Sequence, residues 1–271
     1  MQIGIVGAGL CGLAAAAFLA RKGHGVTVLE RAVMPRPVGA GLLLQPPGMA
    51  ILQRLGVRDA LVAGGARITR LDSRTSDGRV LLDLRYADLA PGLHGLGLGR
   101  PAIWSALHGA ASAAGARILS ACEVRHVTAL SDAALAQMAN GTQQEFDLLV
   151  VAAGAHARFW QARPGHLARL YPWGCLWATI SLPPDWPRDV LQQRCVGTQV
   201  MVGILPTGPV GVQAKAALYW SVRNDQVPAL RQRPIDLWPA AGLVDTWIRF
   251  SPNRRPLHGT KDIQPRVQAR G

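Results

Sequence analysis

The apolar positions of residues 1–31 fall into three blocks: a short run from Ile3 to Val6, an alanine-rich stretch from Leu10 to Ala20, and a second short run from Val26 to Leu29. The two runs suit strands and the longer stretch between them suits a helix. After a loop at 32–41 that is broken by prolines and glycines, Leu42-Leu43-Leu44-Gln45 precedes a helix expected over Gly48 to Leu55 and a shorter one over Arg58 to Ala63. Alternating residues from Ile68 to Leu84 around Asp77-Gly78 predict a β-hairpin, because Asp-Gly suits a tight primed turn. Arg100-Pro101 opens a helix to about Ala114, with proline in the first turn where its missing amide hydrogen costs nothing. Strands are expected at Arg117–Leu119 and from Glu123-Val124. The continuous apolar run after Asp147 reads as a buried parallel strand ending in a glycine turn at Gly154. From Tyr171 to Phe250, short apolar runs broken by prolines carry six of the eight tryptophans, which fits a second, mixed or antiparallel sheet lining an apolar cavity.

The break between the first strand and the first helix reads Gly7-Ala8-Gly9-Leu10-Cys11-Gly12. In a dinucleotide-binding βαβ unit, glycine at the first of these positions permits the tight turn. The second lets backbone approach a pyrophosphate, and the third lets helix and strand pack closely. Phosphates then sit at the positive N-terminus of the helix, where Leu10 and Cys11 also lie. Glu30 follows Gly12 by eighteen residues, at the end of the second strand, where a carboxylate can accept hydrogen bonds from both hydroxyls of an adenosine ribose. A 2′-phosphate would be repelled there, so the expected ligand is FAD or NAD. The stretch from Ile3 to Ala20 is eighteen residues without a charge, yet no basic residue precedes it and three glycines interrupt it at the fingerprint spacing. Neither a signal peptide nor a membrane span is expected, and the protein is expected in the cytoplasm.

At 271 residues and 49% hydrophobic composition, the chain can bury a sizeable core in one large or two modest domains. Its net charge of +13 raises the question of nucleic acid. The arginines are spread along the chain, however, the lysines are only Lys22, Lys215 and Lys261, and no RNA-binding aromatic motif or zinc finger accompanies them. No nucleic-acid partner is therefore expected. Cys11, Cys122, Cys175 and Cys195 lack metal-ligand or disulfide spacing and are expected as buried reduced thiols; no metal is expected. His94, His108, His126, His156, His166 and His258 show no paired carboxylate or metal spacing, and no catalytic residue is nominated.

Four features in order carry a resemblance to the class A flavoprotein monooxygenases, over residues 1 to about 250. They are the fingerprint ending in Glu30-Arg31; Gly39-Ala40-Gly41-Leu42-Leu43-Leu44-Gln45-Pro46 before a helix ending in Leu55-Gly56; Arg100-Pro101-Ala102-Ile103-Trp104-Ser105-Ala106-Leu107; and Asp147-Leu148-Leu149-Val150-Val151-Ala152-Ala153-Gly154. The resemblance implies an α/β fold, a Rossmann-like FAD-binding βαβ domain (1–66 and 98–162) with an inserted mixed or antiparallel β-sheet substrate domain (67–97 and 163–250). It implies that Gly7, Gly9, Leu10, Cys11 and Gly12 face the FAD pyrophosphate and that Glu30 holds the adenosine ribose. Arg31, Gly39 and Gly41 would lie along the cofactor, Arg100 would reach its phosphate and ribityl side, Val124, ending a strand, would offer backbone to adenine, and Gly154 would keep the last motif's turn. The implied activity is hydroxylation of a small organic, typically aromatic, substrate through a peroxyflavin, with NAD(P)H as the transient electron donor and the tryptophan-rich region as the substrate roof.

Two departures from the family pattern stand out. Ala153-Gly154 and Ala157 occupy places where the family has Asp-Gly and a serine. After Phe250 no Gly-Asp pair opens a helix; residues 251–271 hold five basic residues, one acid and three prolines, and are expected to form a disordered basic tail. The chain is accordingly expected to be a truncated member of the family, from an interrupted reading frame, that binds FAD weakly or needs another polypeptide. The alternatives are another FAD-dependent oxidoreductase of the same fold and a non-catalytic remnant.

Overall fold

The computed structural model describes residues 1–35, 39–154, 171–182, 186–208 and 214–232. The elements in chain order begin with β1 (Gln2–Val6), α1 (Leu10–Arg21), β2 (Gly25–Leu29), β3 (Gly41–Leu44), α2 (Pro46–Arg54) and α3 (Arg58–Ala63). They continue with β4 (Ala66–Ile68), β5 (Arg70–Thr75), β6 (Val80–Arg85), α4 (Tyr86–Leu89), β7 (Gly95–Gly99), α5 (Arg100–Ala113), β8 (Arg117–Leu119) and β9 (Val124–Ala129). The last are β10 (Ala134–Met138), β11 (Gln143–Phe146), β12 (Leu148–Val151), β13 (Trp173–Ser181), β14 (Val190–Val196), β15 (Val200–Pro206), β16 (Lys215–Arg223) and α6 (Val227–Arg231). They divide between two compact units, residues 1–38, 52–57 and 101–169, and residues 39–51, 58–100 and 170–271.

The first unit is built on a parallel sheet in the order β12-β1-β2-β8. β1 and β2 bury four of their five residues each, and α1 lays Gly12, Leu13, Ala16 and Ala17 inward. Gly23, with φ of 84°, ends that helix in a left-handed turn whose amide donates to the Ala20 carbonyl. A three-stranded meander, β11-β10-β9, buries Ala136 and Phe146 against Val6, Leu29 and Val124. At the far end of α1, Arg21 donates to the carbonyls of Leu55 (2.8 Å) and Arg54 (3.2 Å), capping α2, while the Arg54 guanidinium lies 5.3 Å from the centre of the Phe18 ring.

The second unit carries two sheets. β3-β7-β4 is antiparallel. The larger sheet runs β13-β16-β15-β14-β5-β6, antiparallel except for the β14–β5 pair, which is parallel and joins residues 70–75 to 190–195. Ala40, Ala66, Ile68, Tyr86, Leu191, Leu205 and Ala217 form a common core, with Trp177 packed against it. Because β3 and β4 pair with β7, residues 39–51 and 58–66, grouped with the nucleotide domain from the sequence, pack with this unit instead.

The hairpin around Asp77-Gly78 is β5–β6, with Gly78 at φ of 93° and the Thr75 hydroxyl donating to Asp77. Other expectations change. The run beginning at Phe146 is two strands, since Asp147 leaves the ladder and accepts from the Gln2 amide at 2.6 Å. β12 lies at the edge of the described parallel sheet, so it is half-buried and Leu148 is exposed. Val124 begins β9 rather than ending a strand. Of the four cysteines, all free, only Cys195 is buried; Cys11 is exposed, because it points away from the sheet on the outer side of α1. Trp186 and Trp220 are buried in core clusters, so they act as packing groups. Trp238, Trp247, His156, His166, His258, Ala157 and the expected tail at 251–271 lie outside the described residues. Among the described residues no helix is long and apolar enough to cross a membrane, and no His, Cys, Asp and Glu grouping could hold a metal.

Candidate functional site

The C-terminal ends of parallel strands are where open α/β sheets take ligands, and the first unit places its glycine turn there. Gly7 leaves β1 at φ of 103°, its amide donating to the Leu29 carbonyl at 2.8 Å. A Cβ on Gly7 would stand 2.8 Å from the Ala152 carbonyl oxygen and 3.1 Å from the Ala153 Cα. On Gly12 it would overlap the carbonyl oxygen of Gly7, so α1 sits directly on the end of its strand. Both glycines are therefore demanded by the protein itself.

Gly9 is different. It has an ordinary extended backbone, φ −74° and ψ 178°, and among the described residues no atom beyond its chain neighbours lies within 4 Å of where its Cβ would be. Neither conformation nor packing requires a glycine, but a ligand approaching the backbone would. Gly9 is also the N-cap of α1, with no side chain to accept from the helix's first amides, and the first turn holds no acid. Neither a capping side chain nor an acid in the first turn offsets the positive end of the helix, a setting that suits an anion. Leu10 is half-buried and Cys11 exposed in that first turn.

Glu30 closes the turn from below. One carboxylate oxygen accepts the Ala8 amide at 2.8 Å and the other accepts the Ala32 amide at 2.9 Å. Its backbone is tied to the end of β8 by Glu30 N–H to Leu119 and Cys122 N–H to Glu30, both 2.8 Å. Each carboxylate oxygen has a further lone pair, so the group can still take hydroxyl donors. The next peptide unit is held as well, because the indole Nε1 of Trp104, on α5, donates to the Ala8 carbonyl at 2.8 Å. His108, one turn further along, stacks on the Trp104 ring with centroids 4.8 Å apart. Trp104 lay inside the Arg100–Leu107 motif but was not singled out from sequence, since nothing in its spacing points to Ala8.

The remaining expected site residues divide differently. Arg31 is exposed in the loop after Glu30. Val124 is buried, its side chain packed against Val6 and Leu29. Gly154 is exposed with φ of 73°. In the second unit, Gly39 has φ of 131°, and a Cβ there would meet the Arg100 side chain at 2.6 Å; the Arg100 amide donates to Ala40 at 3.3 Å. The space beside Gly41 is filled by Ala217 and Thr207, at 2.5 and 2.6 Å from a built Cβ, so sheet packing already accounts for that glycine. On the large sheet, Gly203 leaves room for the Tyr219 ring to cross over β15 and accept a hydrogen bond from the Gln193 amide. Burial pushes the Tyr219 phenol up to about 12, the Gln193 hydrogen bond opposing it.

Residues 1–232 match the family model described as FAD binding domain. The 3-amino-4-hydroxybenzoate 2-monooxygenase of Streptomyces cremeus is 32% identical over 161 residues, 58% of this chain and 40% of that enzyme. The 6-hydroxynicotinate 3-monooxygenase of Pseudomonas fluorescens is 40% identical over 90 residues, 33% of this chain and 23% of that enzyme. The chain thus spans well under half of the curated relatives it matches. Among solved structures, PqsL of P. aeruginosa in complex with 2-aminobenzoylacetate superposes with a TM-score of 0.65 at 20% identity, over 85% of this chain and 63% of that one. An HpxO variant of Klebsiella pneumoniae complexed with FAD gives 0.67 at 18% identity, over 92% and 62%. Those likenesses establish the fold. With a family match over 232 of its 271 residues, carried at its start by the glycine turn and Glu30, the chain belongs to the class A flavin monooxygenase family, whose FAD binding domain it carries.

Proposed function

We propose that this chain is the FAD-binding part of a monooxygenase that uses NAD(P)H and molecular oxygen to hydroxylate a small aromatic or heteroaromatic substrate. The single observation that carries the reading is Gly9, whose missing side chain nothing among the described residues requires and which stands at the N-terminus of α1, where no side chain caps the helix. The amides of Gly9, Leu10, Cys11 and Gly12 would hold the diphosphate, and Glu30 the adenosine ribose. Arg100 would contribute a charge that cannot be lost and a planar fork of donors matched to phosphate. Arg31, Gly39, Gly41, Val124 and Gly154 complete the proposed contacts, Gly41 and Val124 through backbone alone because their side-chain positions are occupied by packing. When bound, FAD supplies the redox chemistry that no side chain can. The protein's share is to hold the cofactor, exclude water and orient the substrate. The names of the relatives, which act on aminohydroxybenzoate and hydroxynicotinate, support an aromatic substrate class.

A second reading, a cofactor-binding unit without turnover of its own, is favoured by Ala153, where the family pattern has a carboxylate. Incubating the purified chain with FAD, NADH or NADPH, ¹⁸O₂ and a panel of amino- and hydroxy-substituted benzoates and pyridine carboxylates separates the readings. One labelled oxygen in a hydroxylated product is the expected result. NAD(P)H oxidation with no label in product would identify another oxidoreductase, and retained FAD with no oxidation would favour the second reading.

A further inference from the structure

Trp104 holds no cofactor in the roles described so far, yet it makes one part-buried polar contact that reaches the centre of the glycine turn. Ala8 is 4% exposed, and both sides of its backbone are held: Glu30 accepts its N–H at 2.8 Å, and the Trp104 indole donates to its C=O at 2.8 Å. The carbonyl of Ala8 belongs to the same planar trans unit as the N–H of Gly9, and the two bonds point in opposite directions. Fixing the carbonyl therefore fixes the direction of the Gly9 N–H. Without the indole, the planar unit between Ala8 and Gly9 can turn as a whole about Ala8 ψ and Gly9 φ, because glycine visits both signs of φ at little cost. The Trp104 ring is packed on one side by His108, with centroids 4.8 Å apart and the planes tilted by 31°.

We propose that Trp104 is a positioning residue that, with Glu30, braces the Ala8 peptide so that the Gly9 amide is pre-aimed at a diphosphate. The inference rests on the FAD-binding reading of the first unit and deepens it by assigning to a side chain from a distant helix part of the diphosphate affinity. A brace of this kind contributes nothing to the adenosine end of the ligand. Its loss is therefore selective: the affinity for ligands with a diphosphate falls, and the affinity for adenosine does not.

The test measures ADP and adenosine binding by calorimetry to the full chain, wild type and Trp104→Phe, with Trp104→Met as a second variant that also lacks the donor but differs in shape. Thermal melts confirm that a variant is folded. The expected result is ADP affinity reduced about tenfold in a folded variant, the loss of one charge-directed hydrogen-bonding arrangement, with adenosine affinity within about twofold of wild type. Equal weakening for both ligands, or no change for either, would overturn the brace while leaving the wild type's ADP binding intact. A folded wild type that binds no ADP would overturn the FAD-binding reading and the brace together, so the two failures are told apart by the wild type alone.

Discussion

Gly7, Gly9 and Gly12 lack side chains for three different reasons, and substitution should separate them. Gly7 needs a positive φ that L-residues rarely adopt, and Gly12 needs to touch the Gly7 carbonyl. Alanine at either should destabilise the free chain by about 1–3 kcal/mol through strain or backbone displacement. Among the described residues Gly9→Ala meets no atom beyond its chain neighbours, and it keeps an allowed backbone. It should leave the melting temperature of the free chain about unchanged, while FAD affinity falls by about tenfold or more, equivalent to at least ~1.4 kcal/mol. Calorimetry of the three variants with and without FAD checks this; a Gly9→Ala chain that binds FAD normally would remove the diphosphate from the turn. The glycine spacing and Glu30 were legible because strand, turn, helix, strand and acid follow one another in a single βαβ unit. Ala8 carries no signal at all, although its two backbone bonds to Glu30 and Trp104 hold the turn in place. The second of these crosses 96 residues of chain.

Among the elements, α1 shows how one helix is held at both ends by unlike means. Its N-terminus is left open, whereas Arg21 at its C-terminus is committed to the carbonyls of Arg54 and Leu55. Arg21→Ala should cost about 1 kcal/mol and lower the melting temperature by about 2–4 °C, without altering flavin affinity. The large sheet offers a test by pH. Tyr219 ionises at about 12 in the folded chain against an ordinary value of 10. A raised folded value means that its contribution to stability is complete below pH 10 and is lost as the pH rises from 10 towards 12. Chemical denaturation between those limits should show a steeper loss for the wild type than for Tyr219→Phe; identical slopes would mean the phenol is not shielded. Elements of this sheet were only partly readable. The β5–β6 hairpin announced itself through Asp77-Gly78, a local signal. Its parallel pairing with β14 could not be read, because Asp189 and Thr69, which meet beside it, are 120 residues apart. The break between β11 and β12 was hidden for another reason: Asp147 sits between two apolar residues and reveals itself only by bonding to Gln2.

For the molecule as a whole, the parallel sheet with its glycine turn and the mixed sheet of the second unit belong to a fold shared with PqsL and HpxO at TM-scores of 0.65 and 0.67. The class of fold was legible from the order of four motifs, each of which combines a glycine turn or a helix start with a neighbouring apolar run. Burial was less legible. Cys11 was expected inside and stands in water, and the described tryptophans Trp186 and Trp220 fill cores instead of facing a ligand. Exposure depends on what the rest of the chain covers, and no local pattern records that.

The exposed thiol of Cys11, next to the open face of Gly9, offers a further check of the same assignment. FAD should slow its alkylation, read by mass spectrometry, while leaving that of Cys122 unchanged. The most direct test of the central claim is an equilibrium titration of the purified, folded chain with FAD, followed by flavin fluorescence and the visible spectrum. The account predicts saturation at one FAD per chain, with a melting temperature that rises as the site fills. A chain that melts cooperatively but leaves the flavin free at every concentration, with no change in melting temperature, would contradict it.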